Sequence, residues 1–534
     1  MAAGSPISTK SPLRFSRVAL FSHRERYGVR HHGRGGQRVH QQIEGAAPVS
    51  GAAACIDLPL CVDMDGTLLR VDTLHEAALS AAMAGPAALL RLLTALRRGK
   101  AAMKLAAAEA WTFDPATLPY SRAVLDHLEQ ARAAGQRIVL CTAAHHRIAD
   151  RIAAHLGLFD EVIATRGDDN LRGARKAAAL EARFGHRGFV YLGNDASDLP
   201  VWRSAAGAIV VNAPGHVRRR AEAQGLVLAV LEDHGPGGRP RAMLKALRPH
   251  QWLKNALCLV PPLAAADLGL AGWAGALTAM AAFCLMASGI YVVNDISDLA
   301  ADRAHPRKSR RPFASGAIGV ATGMMMAPLL ILGGALLGWM AGALPILLAY
   351  AVASIAYSLV LKEQPLVDVF MLAGLYTIRL FGGGEASGHP VSLWLLGFSG
   401  FIFLSLALIK RVSELQRLQA KRGGWAARRG YMAEDAAMLQ TFGAGATFTS
   451  AVVLLLYVQS ETASLAYAEP ALLWAAVPLL LFWQCRLWLS TARGYMHDDP
   501  IVYASRDWVS WAVLACLGGV AVLAWAGLPA AVRG

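Results

Sequence analysis

The stretch MAAFCLMASGIYVVNDISDLAADRAHPRKSRRPFASG, residues 280–316, decides how the chain is read. An apolar run fit to enter a bilayer passes without a break into three aspartates and then into a burst of Lys and Arg. Asp295, Asp298 and Asp302 stand at i, i+3 and i+7. On a helix that spacing lines one face, where three carboxylates repel one another unless a cation lies between them. Magnesium takes oxygen ligands and often keeps a bound phosphate, so it suits such a set. A solvated polar helix end satisfies the same spacing, and the surroundings must decide.

Outward from this stretch the 534 residues divide unevenly. The whole is 55% hydrophobic and 17% charged, with formal net charge +15 and mean hydropathy +0.38. Residues 1–245 alternate polar and apolar segments, whereas 252–528 hold long apolar runs. Nine such runs, near 252–268, 271–293, 320–341, 343–361, 366–382, 391–410, 443–459, 471–489 and 508–528, approach the length of a membrane span. Lys and Arg follow the second, fourth, sixth and eighth runs and are absent after the odd ones. The positive-inside rule then places the even exits and the N-terminal half in the cytoplasm, as expected of a multi-pass protein of a bacterial inner membrane. That topology accounts for most of the positive charge, so nucleic-acid binding is not expected.

The seven cysteines include no CxxC pair and read as small core residues of a reducing compartment. Residues 1–50 read as a basic disordered tail.

Polar chemistry gathers at one membrane face. The Asp set, Arg307, Lys308, Tyr357, Lys362, Asp368, Lys410 and Arg411 fall there, and Arg379 lies within a span. LRPHQWLKNALCLVPPL (247–263), followed by the NDxxDxxxD pattern from Asn294, resembles the first signature of the UbiA superfamily of intramembrane prenyltransferases. The likeness covers about 245–528 and implies an all-α bundle of about nine helices, with magnesium held on a diphosphate by Asp295, Asp298 and Asp302. The usual second Asp-rich segment is altered. YSLVLKEQPLVDVFMLAGLYTIRLFGGGEASG (357–388) offers Asp368 with Tyr357, Lys362, Tyr376 and Arg379. With LIKRVSEL (408–415), this set resembles the decaprenyl-phosphate phosphoribosyltransferase branch. That branch implies phosphoribosyl pyrophosphate as donor and polyprenyl phosphate as acceptor. Asn294 belongs to the signature, and Lys254, Arg307, Lys308, Lys362, Lys410 and Arg411 are candidate phosphate holders.

In the N-terminal half, CIDLPLCVDMDGTLLRVDTL (55–74) reads as a buried strand ending in Asp63 and Asp65, with Gly66 allowing an immediate turn. QRIVLCTAA (136–144), GFVYLGNDASDLPVW (188–202) and AIVVNAP (208–214) read as further strands of a doubly wound α/β sheet, and 75–115 as a helical cap. DxDGT, Thr142, Lys176 and GNDxxD in this order resemble phosphatases of the haloacid dehalogenase superfamily. The resemblance implies Asp63 as nucleophile, Asp65 as general acid and base, and Thr142 and Lys176 as phosphate holders. It implies a magnesium site among Asp63, Asp65, Asp195 and Asp198.

The expected organisation is a tail (1–50), a phosphatase domain (51–231), a flexible linker (232–246) and a membrane transferase (247–530). Consecutive action is the economical expectation: the membrane half makes a polyprenyl-phosphoryl phosphoribose and the soluble half removes its 5-phosphate. Transfer of a prenyl group from a prenyl diphosphate to an aromatic or other acceptor is the alternative, beside a soluble half that serves another substrate or senses phosphate.

Overall fold

The computed structural model describes residues 57–167, 170–225, 227–233, 238–267, 269–420, 430–496 and 499–527. The tail expectation, Cys55 and the basic run at 421–429 lie outside them.

Six parallel strands form one sheet in the order β3-β2-β1-β4-β5-β6. They are β1 (Leu60–Val62), β2 (Ile138–His145), β3 (Glu161–Thr165), β4 (Val190–Gly193), β5 (Gly207–Val211) and β6 (Val227–Leu231). Leu60 pairs with Ile138 on one side and Val190 on the other, so β1 is central. Its side chains alternate: Leu60 and Val62 enter one core, with Leu128 and Ile148, while Cys61 enters the opposite core, with Tyr191 and Trp202. Strands buried on both faces read as continuous apolar runs, which is why the sequence reveals the central ones. The two strands it does not reveal, β3 and β6, are the half-exposed edges.

Three helices follow β1: α1 (Thr73–Met83), α2 (Pro86–Arg97) and α3 (Lys100–Ala110). The Asp72 carboxylate accepts from the amides of Leu74 and His75 and so starts α1. Together they are the cap expected at 75–115. A later helix, α4 (Ala174–Phe184), carries Lys176. The stretch read as a flexible linker is instead helical over α5 (Gly238–Ala246), and Ala246 is buried beside Val292, Ile296 and Phe313. Its GRPRAMLKA sequence still holds enough helix formers to close two turns once one face is covered.

Beyond it, among the described residues, seven helices are long and apolar enough to span a bilayer. Four of them carry site residues or frame them: α6 (Leu270–Ser297), α8 (Val320–Met340), α9 (Val367–Ser387) and α10 (Leu393–Ala420). Between α6 and α8 lies the short α7 (Leu299–Ala304). The expected fourth span is a helix of 16 residues, Leu344–Leu359. The expected first span is a 3-10 helix, Pro249–Leu259, followed by a single turn, Val260–Ala264. The tandem Pro261 and Pro262 remove two backbone donors, which prevents one continuous helix. Lys254, Asn255 and Cys258 of this segment are buried. Gly383 of α9 lies so close to the Cys258 carbonyl that a Cβ there would overlap it.

The sheet domain and the helical half share a boundary. Arg303 of α7 donates from both terminal nitrogens to Glu76 of α1, at 2.7 and 2.5 Å, and from Nε to the Ala314 carbonyl at 3.2 Å. Both charged groups are buried. Leu79 of the cap packs into the apolar cluster of Ile296 and Phe313.

Candidate functional sites

The first site lies where the strand order reverses, between β1 and β4, at their carboxyl ends. In a doubly wound sheet that crevice is the ligand position. Asp63 leaves β1 and accepts from Lys176 Nζ at 2.7 Å. Lys176 also donates to the Tyr191 hydroxyl at 2.8 Å, which donates to Asp198 Oδ1 at 3.0 Å. These groups are buried, and the two flanking carboxylates keep the lysine protonated, with a pKa above its ordinary value despite burial. Gly66 has φ +76 and sits against the Asn194 amide, where a Cβ would overlap, so only glycine makes this turn. Asp65 turns back and accepts from the Thr73 amide at 2.8 Å. Burial first, then the neighbouring Asp72 charge, pushes the Asp65 carboxyl up to about 7. A carboxyl that holds its proton near neutral pH is suited to give it to a leaving group.

The loop after β4 is held by Asp198, whose Oδ2 accepts from the amides of Asn194 (2.9 Å) and Asp195 (3.0 Å). Asp198 therefore aims Asn194 and Asp195 at the cavity from behind. Asp195 is half exposed, with Arg172 at 3.3 Å. Thr142 is buried within β2, just before its register shift, its hydroxyl accepting from the Ala144 amide at 3.0 Å. Lys104, absent from the sequence candidates, reaches down from cap helix α3 to the Ala143 carbonyl (2.5 Å) and Asn170 Oδ1 (2.6 Å). Asp63, Asp65, Lys104, Lys176, Asn194 and Asp195 line one cavity of about 350 Å³.

The second site belongs to the helical half. α6 ends at Ser297 and Asp298 caps the break, so the three aspartates do not share one unbroken helix. Arg311 joins two of them, Nη1 lying 3.0 Å from Asp295 Oδ1 and 2.6 Å from Asp302 Oδ2. Arg248 also binds Asp295, with its guanidinium 5.0 Å over the Tyr291 ring. Lys308 Nζ stands 3.7 Å from Asp302 Oδ1, a buried oxygen without a hydrogen bond. Asp298 does not enter this cluster. Asn294 donates to the Ser358 hydroxyl at 3.1 Å, and the Arg307 side chain is exposed.

A third knot sits on Asp499, which sequence reading passed over. Lys254 Nζ is 2.7 Å from its Oδ2, Lys410 Nζ 3.4 Å, and the Tyr376 hydroxyl 3.4 Å. Its only signal in the sequence was a carboxylate in a short polar break, DDPIVYASRD, between two apolar runs. Two other sequence candidates face each other: Arg411 is paired with Asp368, which also accepts from the Tyr431 hydroxyl at 2.5 Å, and the group is buried. Arg379 is buried too, on Asn255 Oδ1 at 2.7 Å and the Tyr350 hydroxyl at 3.2 Å. Lys362 lies on a 3-10 turn, Leu361–Glu363, and Tyr357 near the end of the preceding helix, both half-buried.

Among the described residues no three His, Cys, Asp or Glu side chains converge into a closed metal cage. Magnesium commonly takes one or two carboxylates and completes its shell with water and substrate phosphate, so a closed cage is not required. The buried Asp302 oxygen that accepts no hydrogen bond and the carboxylates of Asp63 and Asp195 at the cavity of the sheet domain fit that demand.

Residues 256–503 match the UbiA prenyltransferase family, and residues 60–203 match the haloacid dehalogenase-like hydrolases. An uncharacterized protein of Sinorhizobium fredii is 36% identical over 483 residues, covering 88% of this chain and 92% of that protein. Nodulation protein NoeC of Azorhizobium caulinodans is 36% identical over 284 residues, 52% of this chain and 90% of its own length. Decaprenyl-phosphate phosphoribosyltransferase of Mycolicibacterium smegmatis is 39% identical over 181 residues, 33% of this chain and 57% of that enzyme. With its α/β sheet, its seven long apolar helices and these matches, the chain belongs to the UbiA prenyltransferase family as a multi-pass membrane enzyme fused to an N-terminal haloacid dehalogenase-like hydrolase domain.

Proposed function

We propose that the membrane half transfers 5-phosphoribose from phosphoribosyl pyrophosphate to a polyprenyl phosphate, and that the hydrolase half removes the 5-phosphate of the product. The observation that carries the reading is the density of cations. Arg248, Arg311 and Lys308 surround Asp295 and Asp302, and Lys254 with Lys410 surrounds Asp499. A donor with a diphosphate and a 5-phosphate, meeting an acceptor that is itself a phosphate, needs that many positive groups. The partial likeness to the Mycolicibacterium enzyme points the same way.

In the transfer the bond from ribose C1 to the diphosphate oxygen breaks, and its electron pair leaves with the diphosphate. A lipid phosphate oxygen forms the new bond to C1. The acceptor is already an anion, so no base must remove a proton. Asp295 and Asp302 would hold the metal, which supplies neutralisation of the leaving diphosphate. Arg248 and Arg311 then hold the carboxylates and the phosphates in register. In the hydrolase half Asp63 attacks the phosphorus, and Asp65 gives its proton to the departing ribose oxygen. Water then attacks the phosphorus of the aspartyl phosphate while Asp65 takes a proton from that water, which breaks the bond to Asp63, frees inorganic phosphate and restores both carboxyl groups. Lys176 binds the phosphoryl oxygens and Asp195 would share the metal with Asp63.

The test gives membranes carrying the full chain either labelled phosphoribosyl pyrophosphate or labelled prenyl diphosphate, with polyprenyl phosphate and magnesium. Labelled lipid from the first donor is expected. Label from prenyl diphosphate alone would transfer the assignment to the prenyl reaction. In Asp63→Asn the lipid should accumulate with its 5-phosphate.

A further inference from the structure

The cavity on Asp63 is not walled by the hydrolase domain alone. Arg239 of α5 lines it, and so do Gly316, Ala317, Gly319 and Thr322, which lie between the aspartate signature and the first turns of α8. All five fall outside the stretch that matches the hydrolase family. The wall is seated firmly. Gly316 has φ +71, and a Cβ on it would stand 2.7 Å from Arg70 Cβ and 3.2 Å from Pro119. The buried Glu76–Arg303 pair clamps the same segment, because Arg303 also holds the Ala314 carbonyl. The buried Asp63 and Lys176 in its lining supply what one phosphoryl group needs, and the same lining includes the exposed Arg239 and the edge of the membrane half.

We propose that this is a composite site, in which the 316–322 turn and Arg239 select a phosphomonoester whose other end carries a second anion, a phosphodiester anchored in the bilayer. This rests on the phosphatase role given above for Asp63. A ribose bearing a 5-phosphate and a lipid phosphodiester at C1 has that form. With the monoester on Asp63 and Lys176, the second charge falls to the remaining lining, where a guanidinium is the suitable partner. Arg239 is on this view a specificity-determining residue and takes no part in the chemistry.

The experiment uses the full chain in nanodiscs and three probes: ribose 5-phosphate, its C1 methyl-phosphodiester, and the same headgroup on a short polyprenyl chain. Wild type should prefer both diester probes over ribose 5-phosphate by about tenfold or more in kcat/KM. Arg239→Gln should cut that ratio about tenfold, whatever the absolute rates. Gly316→Val, which pushes the wall from Arg70, should lower the ratio also, and circular dichroism verifies that it folds. A preference for the lipid probe alone would make the bilayer, not the second anion, the recognised feature. A wild-type ratio near one, or a ratio unmoved in Arg239→Gln, overturns the proposal. Because the probes are supplied ready-made, failure here is separate from failure of phosphoribosyl transfer, while loss of all hydrolysis in wild type would instead sink the phosphatase reading itself.

Discussion

The two halves set aspartates beside cations in different ways. In the hydrolase half the carboxylates stand at the ends of β1 and β4, neighbours in one sheet, and each is fixed by backbone: Thr73 on Asp65, and Asn194 and Asp195 on Asp198. In the membrane half Asp295 and Asp302 lie on either side of a helix break and are joined mainly through arginine side chains. A sheet edge holds its geometry without a ligand. A helix break tied by Arg311 and Lys308 can exchange those partners for a metal and phosphates when substrate arrives. The contrast teaches that equal motifs carry unequal preorganisation.

The sharpest way to break the comparison is Asp63→Asn. Removing a nucleophile should reduce phosphate release by roughly 10⁴-fold or more and leave lipid labelling by the membrane half intact. Should both activities fall together, the halves are not chemically separate. Asp302→Ala is expected to lower transfer by about 10²–10³-fold, with hydrolysis of the ready-made headgroup retained. Titration with a chelator, followed by rescue with magnesium, should silence both sites, and persistence of either one after chelation removes the metal from its mechanism. Asp368→Asn tests a different kind of carboxylate. With Arg411 left buried against Glu414 only, stability should drop by about 3 kcal/mol, read by thermal unfolding, while KM for the donor stays put. A changed KM with unchanged melting would return Asp368 to the substrate site. The smallest effect should come from Lys104→Met, about tenfold on hydrolysis through a looser cap, seen in kcat/KM and absent from transfer.

Much of the hydrolase half was legible because its signals are local. Asp63, Asp65 and Gly66 are adjacent in sequence, and the strand that carries them is a buried apolar run. Lys104 was hidden because its relevance arises only when α3 folds over Ala143, 39 residues away. In the membrane half, charge alternation exposed the spans, and hydropathy marked nine segments where the described residues form seven long helices, one short one and a proline-broken pair. The sequence did not reveal that Asp368 and Arg411 are buried against each other, because the partners stand 43 residues apart. Asp499 was passed over for the converse reason: its lysines come from residues 254 and 410. Long-range partners of this kind leave no spacing to read.

The Glu76–Arg303 clamp bears on how such a protein can be rebuilt. Its acid belongs to one catalytic module and its base to the other, one position after the last signature aspartate. A free-standing phosphatase grafted onto this membrane half, without an acid at the equivalent place, would strand a guanidinium in an apolar seam. The two modules are thus no longer interchangeable parts, and any exchange between them must carry both members of the lock.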